Sequence, residues 1–245
     1  MRLAQDDESL GVRLAVASIG AVLLLVPFAL IAVLIVGNSA WLHGLDLRVT
    51  DALHGFALRH EWWVRLLELW SLVFHPMVWR VAALGLAIWL VRRASWSAAW
   101  WVAVTMTVGG LLGVVLKLLV GRDRPELLDP VARAAGYAFP SGHALNNALG
   151  AAVFLLVLLP LTRGRPRRRA GLWVAAVVIP VMTGISRVAL GVHWTSDVVA
   201  GWLLGVAVVA ATAAAFLARR RRHGPAELVT EGLEPDVASP APRRS

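Results

Sequence analysis

Six long apolar runs, at 14–36, 76–91, 98–120, 144–161, 172–189 and 198–217, constrain this chain more than any other feature. A membrane-crossing helix needs about 20 mostly apolar residues. In hydrocarbon every backbone polar group must be paired inside the segment or around a closed barrel. The runs are continuous rather than alternating, so they read as helices. The expected fold is all-α, a six-transmembrane-helix bundle. A cleavable signal peptide competes for the first run, but such peptides carry an apolar core of only about 7–15 residues. We therefore read 14–36 as an anchor with a bend at Pro27. The chain is 58% hydrophobic, above the roughly 45–50% of soluble domains. Its formal charge of +9 is carried by short arginine clusters between the runs, a pattern of membrane orientation and not of a nucleic-acid patch. The absence of cysteine removes disulfides, thiol nucleophiles and cysteine-type metal sites.

These runs divide the chain into a polar leader at 1–13, a six-span domain at 14–222 and a disordered tail at 223–245 rich in Pro, Glu, Ala and Ser. Between the first two spans, 38–75 mixes tryptophan with charge and reads as short amphipathic helices in the membrane interface. His43, His54, His60 and His75 fall in this stretch and read as ordinary interfacial histidines, and Glu68 as part of a solvated face. Gly109, Gly110 and Gly113 allow a close helix contact, and Asn146 and Asn147 are expected to face the bundle interior.

Orientation follows from the arginines. Arg92-Arg93, the basic loop at 163–169 and Arg219 to Arg222 fall on one side, which the positive-inside rule makes cytoplasmic. Both termini are then cytoplasmic. Alternation of the spans sends Lys117, Ser141, His143, Ser186, Arg187, His193 and Asp197 to the opposite, extracytoplasmic face, although they are scattered along the chain. Ionisable groups beside spans are costly, and their default reading is functional.

The chemistry of that layer is specific. Pro140, Ser141 and Gly142 read as a helix start, whose unpaired N–H groups and dipole suit a phosphate. Lys117, the only lysine, joins Arg122, Arg124 and Arg187 in a cationic cluster on the side where the positive-inside rule calls for none. His193 and Asp197 are four apart and share a helical face, so the carboxylate can fix the tautomer of the ring. His143, on another helix, is suited to moving a proton.

The sequence resembles the type 2 phosphatidic acid phosphatase superfamily of membrane lipid phosphatases. The three-part signature of that family reads here as Lys117, six residues, Arg124-Pro125; then Pro140-Ser141-Gly142-His143; then Ser186-Arg187, five residues, His193, three residues, Asp197. The likeness covers the spans, not the tails. It implies metal-independent hydrolysis of a phosphomonoester or diphosphate, without cofactor. It also implies His193 as the nucleophile, Asp197 as its orienting partner and His143 as general acid and then base. Lys117, Arg124, Ser141, Gly142 and Arg187 correspond to the phosphate binders; Arg122 is outside the signature and counts only as a helper. The implied partner is a lipid phosphate within the bilayer. Undecaprenyl diphosphate is favoured by the outer face, and phosphatidic acid and phosphatidylglycerol phosphate remain open. A phosphotransferase using the same site and an anionic-lipid transporter are the alternatives.

Overall fold

Helix boundaries fall where the chain supplies caps and breakers. A computed structural model describes the backbone of residues 2–126, 132 and 134–230, and the side chains of 10–126, 132 and 134–219. Helix α1 spans Arg2–Val36, α2 Ala40–Leu58, α3 Glu61–Val73, α4 Pro76–Arg92, α5 Trp96–Val120, α6 Gly142–Leu158, α7 Pro166–Ala189 and α8 Thr195–Thr230. A 3-10 turn, Leu159–Thr162, follows α6, and no strand occurs among the described residues. Ser39 and Ser141 cap α2 and α6 by accepting from Leu42 N and Ala144 N. Pro76 and Pro166 open α4 and α7, where a missing N–H costs nothing. Gly121, at φ 61°, closes α5 by donating to Lys117 O and turns the chain back over the helix end.

The molecule is a six-span helical membrane bundle. Its crossing lengths are Leu10–Val36, Glu61–Arg92, Trp96–Val120, Gly142–Thr162, Pro166–Ala189 and Thr195–Arg219. The stretch at 38–75 forms α2 and α3. Only Phe74 and His75 separate α3 from α4, so the second crossing length begins at Glu61, ahead of the expected 76. The polar residues before position 14 continue the helix of the first span. At the other end α8 runs through the arginines to Thr230, eight residues into the stretch read as a tail. Extending a helix already formed fixes one residue per added bond, which is far easier than starting one. Residues 231–245 of that tail lie outside the described residues.

Helix α6 is the centre. Every residue from 144 to 151 is buried, as expected for a helix apolar on all sides. It packs on α4, α5, α7 and α8, while α1 lies along α8 at the edge. Leu145, Leu149 and Val153 of α6 meet Leu86 and Leu90 of α4, Val102 of α5 and Leu204 and Val208 of α8 in one core. Asn146 and Asn147 are both buried, and Asn147 uses its whole carboxamide. It accepts from Trp79 Nε1 at 2.8 Å and Thr183 Oγ1 at 3.2 Å, and donates to Phe74 O at 2.8 Å and His143 O at 2.9 Å. This amide ties the α3–α4 break to α6 and α7.

The contact of α6 with α8 is backbone against backbone. A Cβ at Gly201 would stand 2.8 Å from Ser141 O, and one at Gly205 2.7 Å from Leu145 O. Lipid offers no hydrophobic drive for helices to associate, so such small residues supply the packing. Gly109 gives a similar seat to Leu149, whose Cδ2 lies 2.6 Å from the position of an added Cβ; Gly110 has only Arg80 Nη2 at 3.6 Å. Gly205→Val is therefore expected to destabilise the protein by about 1–3 kcal/mol or more, lowering the midpoint of thermal unfolding in detergent by about 2–10 °C. Gly110→Ala serves as the tolerated control. Equal midpoints for the two variants would contradict the close contact.

Candidate active site

Four helix ends converge on one layer. The end of α5 and the following loop bring Lys117, Arg122 and Arg124. The start of α6 brings Ser141, Gly142 and His143, the end of α7 Arg187, and the turn into α8 His193 and Asp197. Ser141 N–H donates to Asp197 O at 3.0 Å and locks the two N-termini side by side. The loop is pinned by Ala138 N–H to Arg122 O at 2.8 Å. Phe139, fully buried and joined to Pro140 by a cis peptide, stacks on Phe28 of α1 with ring centres 5.8 Å apart.

His193 has one consistent tautomer. Its Nε2 lies 3.1 Å from Arg124 Nη1. A guanidinium only donates, so Nε2 accepts and carries no proton. The ring proton is then on Nδ1, which faces Asp197 Oδ2 at 3.5 Å. That separation is longer than a formed N–H···O bond, and Nδ1 has no hydrogen-bond partner among the described residues. Catalytic contacts of this kind often tighten only around a substrate. Burial pushes the His193 pKa down from 6.5 to about 4; Asp197 opposes the fall, while Arg124 and Lys117 add to it. At neutral pH the ring is an uncharged base whose Nε2 lone pair is directed at Arg124.

Asp197 is fully buried and well held. Oδ2 accepts from Trp194 N at 2.9 Å and Oδ1 from Arg122 Nη1 at 2.6 Å. This pairing corrects the reading of Arg122 as a helper of the anion site. Its other terminal nitrogen goes to Asp46 Oδ2 at 2.7 Å, so two buried carboxylates absorb its donors.

The remaining cations line the other side. Lys117 Nζ donates to Tyr137 O, and its Cε lies 3.9 Å from where a Cβ on Gly142 would stand, beside the start of α6. Arg124 donates from Nε to Gly136 O at 2.8 Å, from Nη2 to Ala135 O at 3.0 Å and from Nη1 to Val192 O. Burial pushes its pKa below the ordinary arginine value, and Asp197 opposes that fall. Arg187 is 9% exposed, and its Nε has no hydrogen-bond partner among the described residues. His143 is half-buried and close enough to feel the charges of Arg187 and His193. The arrangement brings a neutral imidazole, a second imidazole, three cations and a helix N-terminus to one layer, groups of the kinds that phosphoryl transfer uses. Among the described residues no group of three or more His, Asp or Glu side chains gathers to hold a metal.

Of the interfacial histidines, His54 donates from Nδ1 to Ala189 O at 3.1 Å and ties α2 to the end of α7. His75 caps α4 through Met77 N and sets its ring edge-on to His143, centres 5.2 Å apart. His43 packs edge-on against Trp194 at 5.4 Å. Glu68 is exposed, as expected. The sequence reading missed Asp46, Ser196 and His75 as neighbours of the site. Nothing local marks them, because their partners are about 70 or 150 residues away.

The sequence model of the PAP2 superfamily matches residues 98–221. Among curated relatives, the chain is 35% identical to undecaprenyl-diphosphatase of Sulfolobus acidocaldarius over 109 residues, 42% of this chain and 47% of that protein. It is 38% identical to phosphatidylglycerophosphatase B of Bacillus subtilis over 96 residues, 39% and 47% of the two chains. It is 35% identical to decaprenylphosphoryl-5-phosphoribose phosphatase of Mycobacterium tuberculosis over 138 residues, 55% and 69% of the two. The chain spans about half the length of the first two relatives. A crystal structure of a transmembrane PAP2-type phosphatidylglycerolphosphate phosphatase from Bacillus subtilis superposes with a TM-score of 0.70 at 25% identity, over 79% of this chain and 94% of that one.

The electrostatics of His193 are directly measurable. In protein carrying ¹³C-labelled histidine, with the signal assigned by its loss in His193→Gln, the ring is expected to titrate near pH 4 and not near 6.5. The sign follows from burial, which penalises the protonated form. A midpoint at or above 6.5 would contradict the buried, neutral ring.

Proposed function

Because the chain belongs to the PAP2 superfamily, we propose that it is a membrane lipid phosphatase that removes a terminal phosphate from a lipid phosphate or diphosphate. One observation carries this reading: the unprotonated Nε2 of His193 faces the cation cluster at Arg124 while Nδ1 faces Asp197. That is the disposition a nitrogen nucleophile needs for in-line attack on phosphorus.

In the proposed sequence His193 Nε2 forms a bond to phosphorus as the bond to the lipid oxygen breaks. His143, protonated once the anionic phosphate stands beside it, gives its proton to that leaving oxygen. Asp197 stabilises the positive charge that develops on the His193 ring. Neutral His143 then takes a proton from water, the resulting hydroxide attacks phosphorus, the N–P bond breaks and inorganic phosphate leaves. Lys117, Arg124, Arg187, the Ser141 hydroxyl and the Gly142 N–H hold the phosphoryl oxygens, the Ser141 N–H being already given to Asp197 O; most of the rate enhancement of such reactions originates there. The lipid chain stays among the spans.

The arginines at 92–93 close α4, those within 163–169 lie between the 3-10 turn and the first turn of α7, and those at 219–222 close and follow the sixth crossing length within α8, all opposite the proposed catalytic layer in chain order. The positive-inside rule therefore supports an extracytoplasmic site with cytoplasmic termini. An outer-face site, with relatives named for undecaprenyl and decaprenyl lipids, favours undecaprenyl diphosphate as substrate. Phosphatidylglycerol phosphate is the next choice, from the name of the Bacillus relative.

The deciding experiment is a panel of these lipids, with phosphatidic acid, given to the purified chain and ranked by kcat/KM. His193→Ala is expected to lose phosphate release by about 1,000-fold or more and to form no phosphoenzyme from ³²P-labelled lipid. Asp197→Asn should slow both by about 100-fold or more, because the wrong tautomer becomes available. Activity should survive a chelator. Unimpaired turnover in His193→Ala would end the assignment, and label appearing in a new lipid instead of free phosphate would identify a transferase.

A further inference from the structure

Behind Asp197 lies a buried ring of charges that the proposed chemistry does not use. Arg122, 13% exposed in its side chain, divides its fork between Asp197 Oδ1 at 2.6 Å and Asp46 Oδ2 at 2.7 Å, carboxylates 0% and 1% exposed. Ser196 closes the ring. Its Oγ accepts from Arg122 Nη1 at 2.7 Å and donates to Asp46 Oδ2 at 2.6 Å, and its N–H donates to Asp46 Oδ1 at 2.8 Å. The Trp194 indole lies 5.6 Å from the guanidinium carbon and donates from Nε1 to Asp123 O at 3.1 Å. Asp46 thus acts as a cap for α8 supplied by a different helix, α2.

A clamp that only fastened α2 to α8 would need one of these bonds. Two details point further. Arg122 holds the oxygen of Asp197 that does not face His193, so it sets from behind where Oδ2 lies relative to Nδ1. Asp46, in turn, shares the positive charge of Arg122, leaving Asp197 more of its own charge to offer the ring. The geometry points to Arg122 and Asp46 as positioning residues for the catalytic pair, with α2, a helix outside the segment matched by the family, supplying one of them. Neither touches the anion site directly. This inference rests on the proposed role of His193, which the same arrangement would orient before any substrate binds.

The test uses the full chain purified in detergent, with Asp46→Asn, Arg122→Gln and Arg122→Lys. Two readouts are taken: kcat and KM on the best lipid of the panel, and the His193 titration by ¹³C NMR. The other charged or titratable groups near His193 are Lys117 on α5, Arg124 in the loop and His143 on α6, and all are left intact, as is Arg187 on α7. Asp46→Asn removes a negative charge and frees that of Arg122, so His193 should titrate at lower pH. Arg122→Gln removes a positive charge, so it should titrate at higher pH. Arg122→Lys keeps the charge but cannot bridge both carboxylates, so the titration should stay and kcat should fall. In all three kcat is expected to drop about tenfold or more with KM within about threefold. Turnover within twofold of wild type in Asp46→Asn and Arg122→Lys would overturn the inference. So would titrations that are unmoved, or moved in the same sense, in Asp46→Asn and Arg122→Gln. If Arg122→Gln does not fold, the other two variants decide. If the wild type turns over no lipid, the proposed function has failed, and the titrations, which need no substrate, still decide the positioning.

Discussion

The site depends on how closely α6 and α8 approach. At Gly201 and Gly205 nothing separates the two backbones, and Ser141 N–H reaches Asp197 O across the gap. The two imidazoles that share the proposed chemistry stand at the starts of these helices, His143 on one and His193 just before the other. A displacement of about 1 Å between reacting groups can cost about 100-fold in rate. A contact through side chains could repack to that extent; one through backbone has little freedom to do so. Bringing two helix N-termini together also juxtaposes two partial positive charges. The carboxylates of Asp197 and Asp46, bonded to Trp194 N and Ser196 N, offset them.

A second constraint is the crowding of Lys117, Arg124 and Arg187, three like charges brought to one layer by α5, the following loop and α7. For Lys117 and Arg124 the loop carbonyls of residues 135–137 and Val192 O supply the counterweight. Carbonyls carry only partial charge, so they hold the cations in position without matching what a phosphate dianion offers. Cations held this way are preorganised, so little rearrangement would remain for the phosphoryl group of the proposed reaction.

The crossing helices and the shared face of the motifs were legible because both follow from local facts. Twenty apolar residues make a span, and alternation decides which ends meet. Side-chain partnerships across the bundle were not legible. Arg122 looked like one more cation near Arg124, and only the position of α2 reveals that its fork is occupied. Asp46 looked like any charge on an interfacial helix, flanked by Leu45 and Leu47. The glycines show the same limit in another form. The spacing of Gly201 and Gly205 reports a flat face on α8, but which neighbour fills it depends on the order in which helices pack. For α8 beyond position 222, composition argued for disorder, yet a helix emerging from the bundle carries on through residues that would not begin one.

The low basicity of His193 bears on whether a buried ring can become a cationic phosphohistidine. Burial penalises an isolated imidazolium, and Arg124 and Lys117 add to the penalty. In the proposed reaction, phosphoryl transfer to His193 changes both conditions at once. The transferred group carries negative oxygens directly to Nε2, between the ring and those cations, while Asp197 remains on the Nδ1 side. The positive charge of the intermediate is then flanked by negative charge on both sides in a medium of low dielectric, where such interactions are strongest. The same burial that keeps the free ring neutral and nucleophilic thus favours the charged state once phosphorus is attached. Protonation by solvent gains no such compensation, so the environment distinguishes the two cations by what else arrives with the charge.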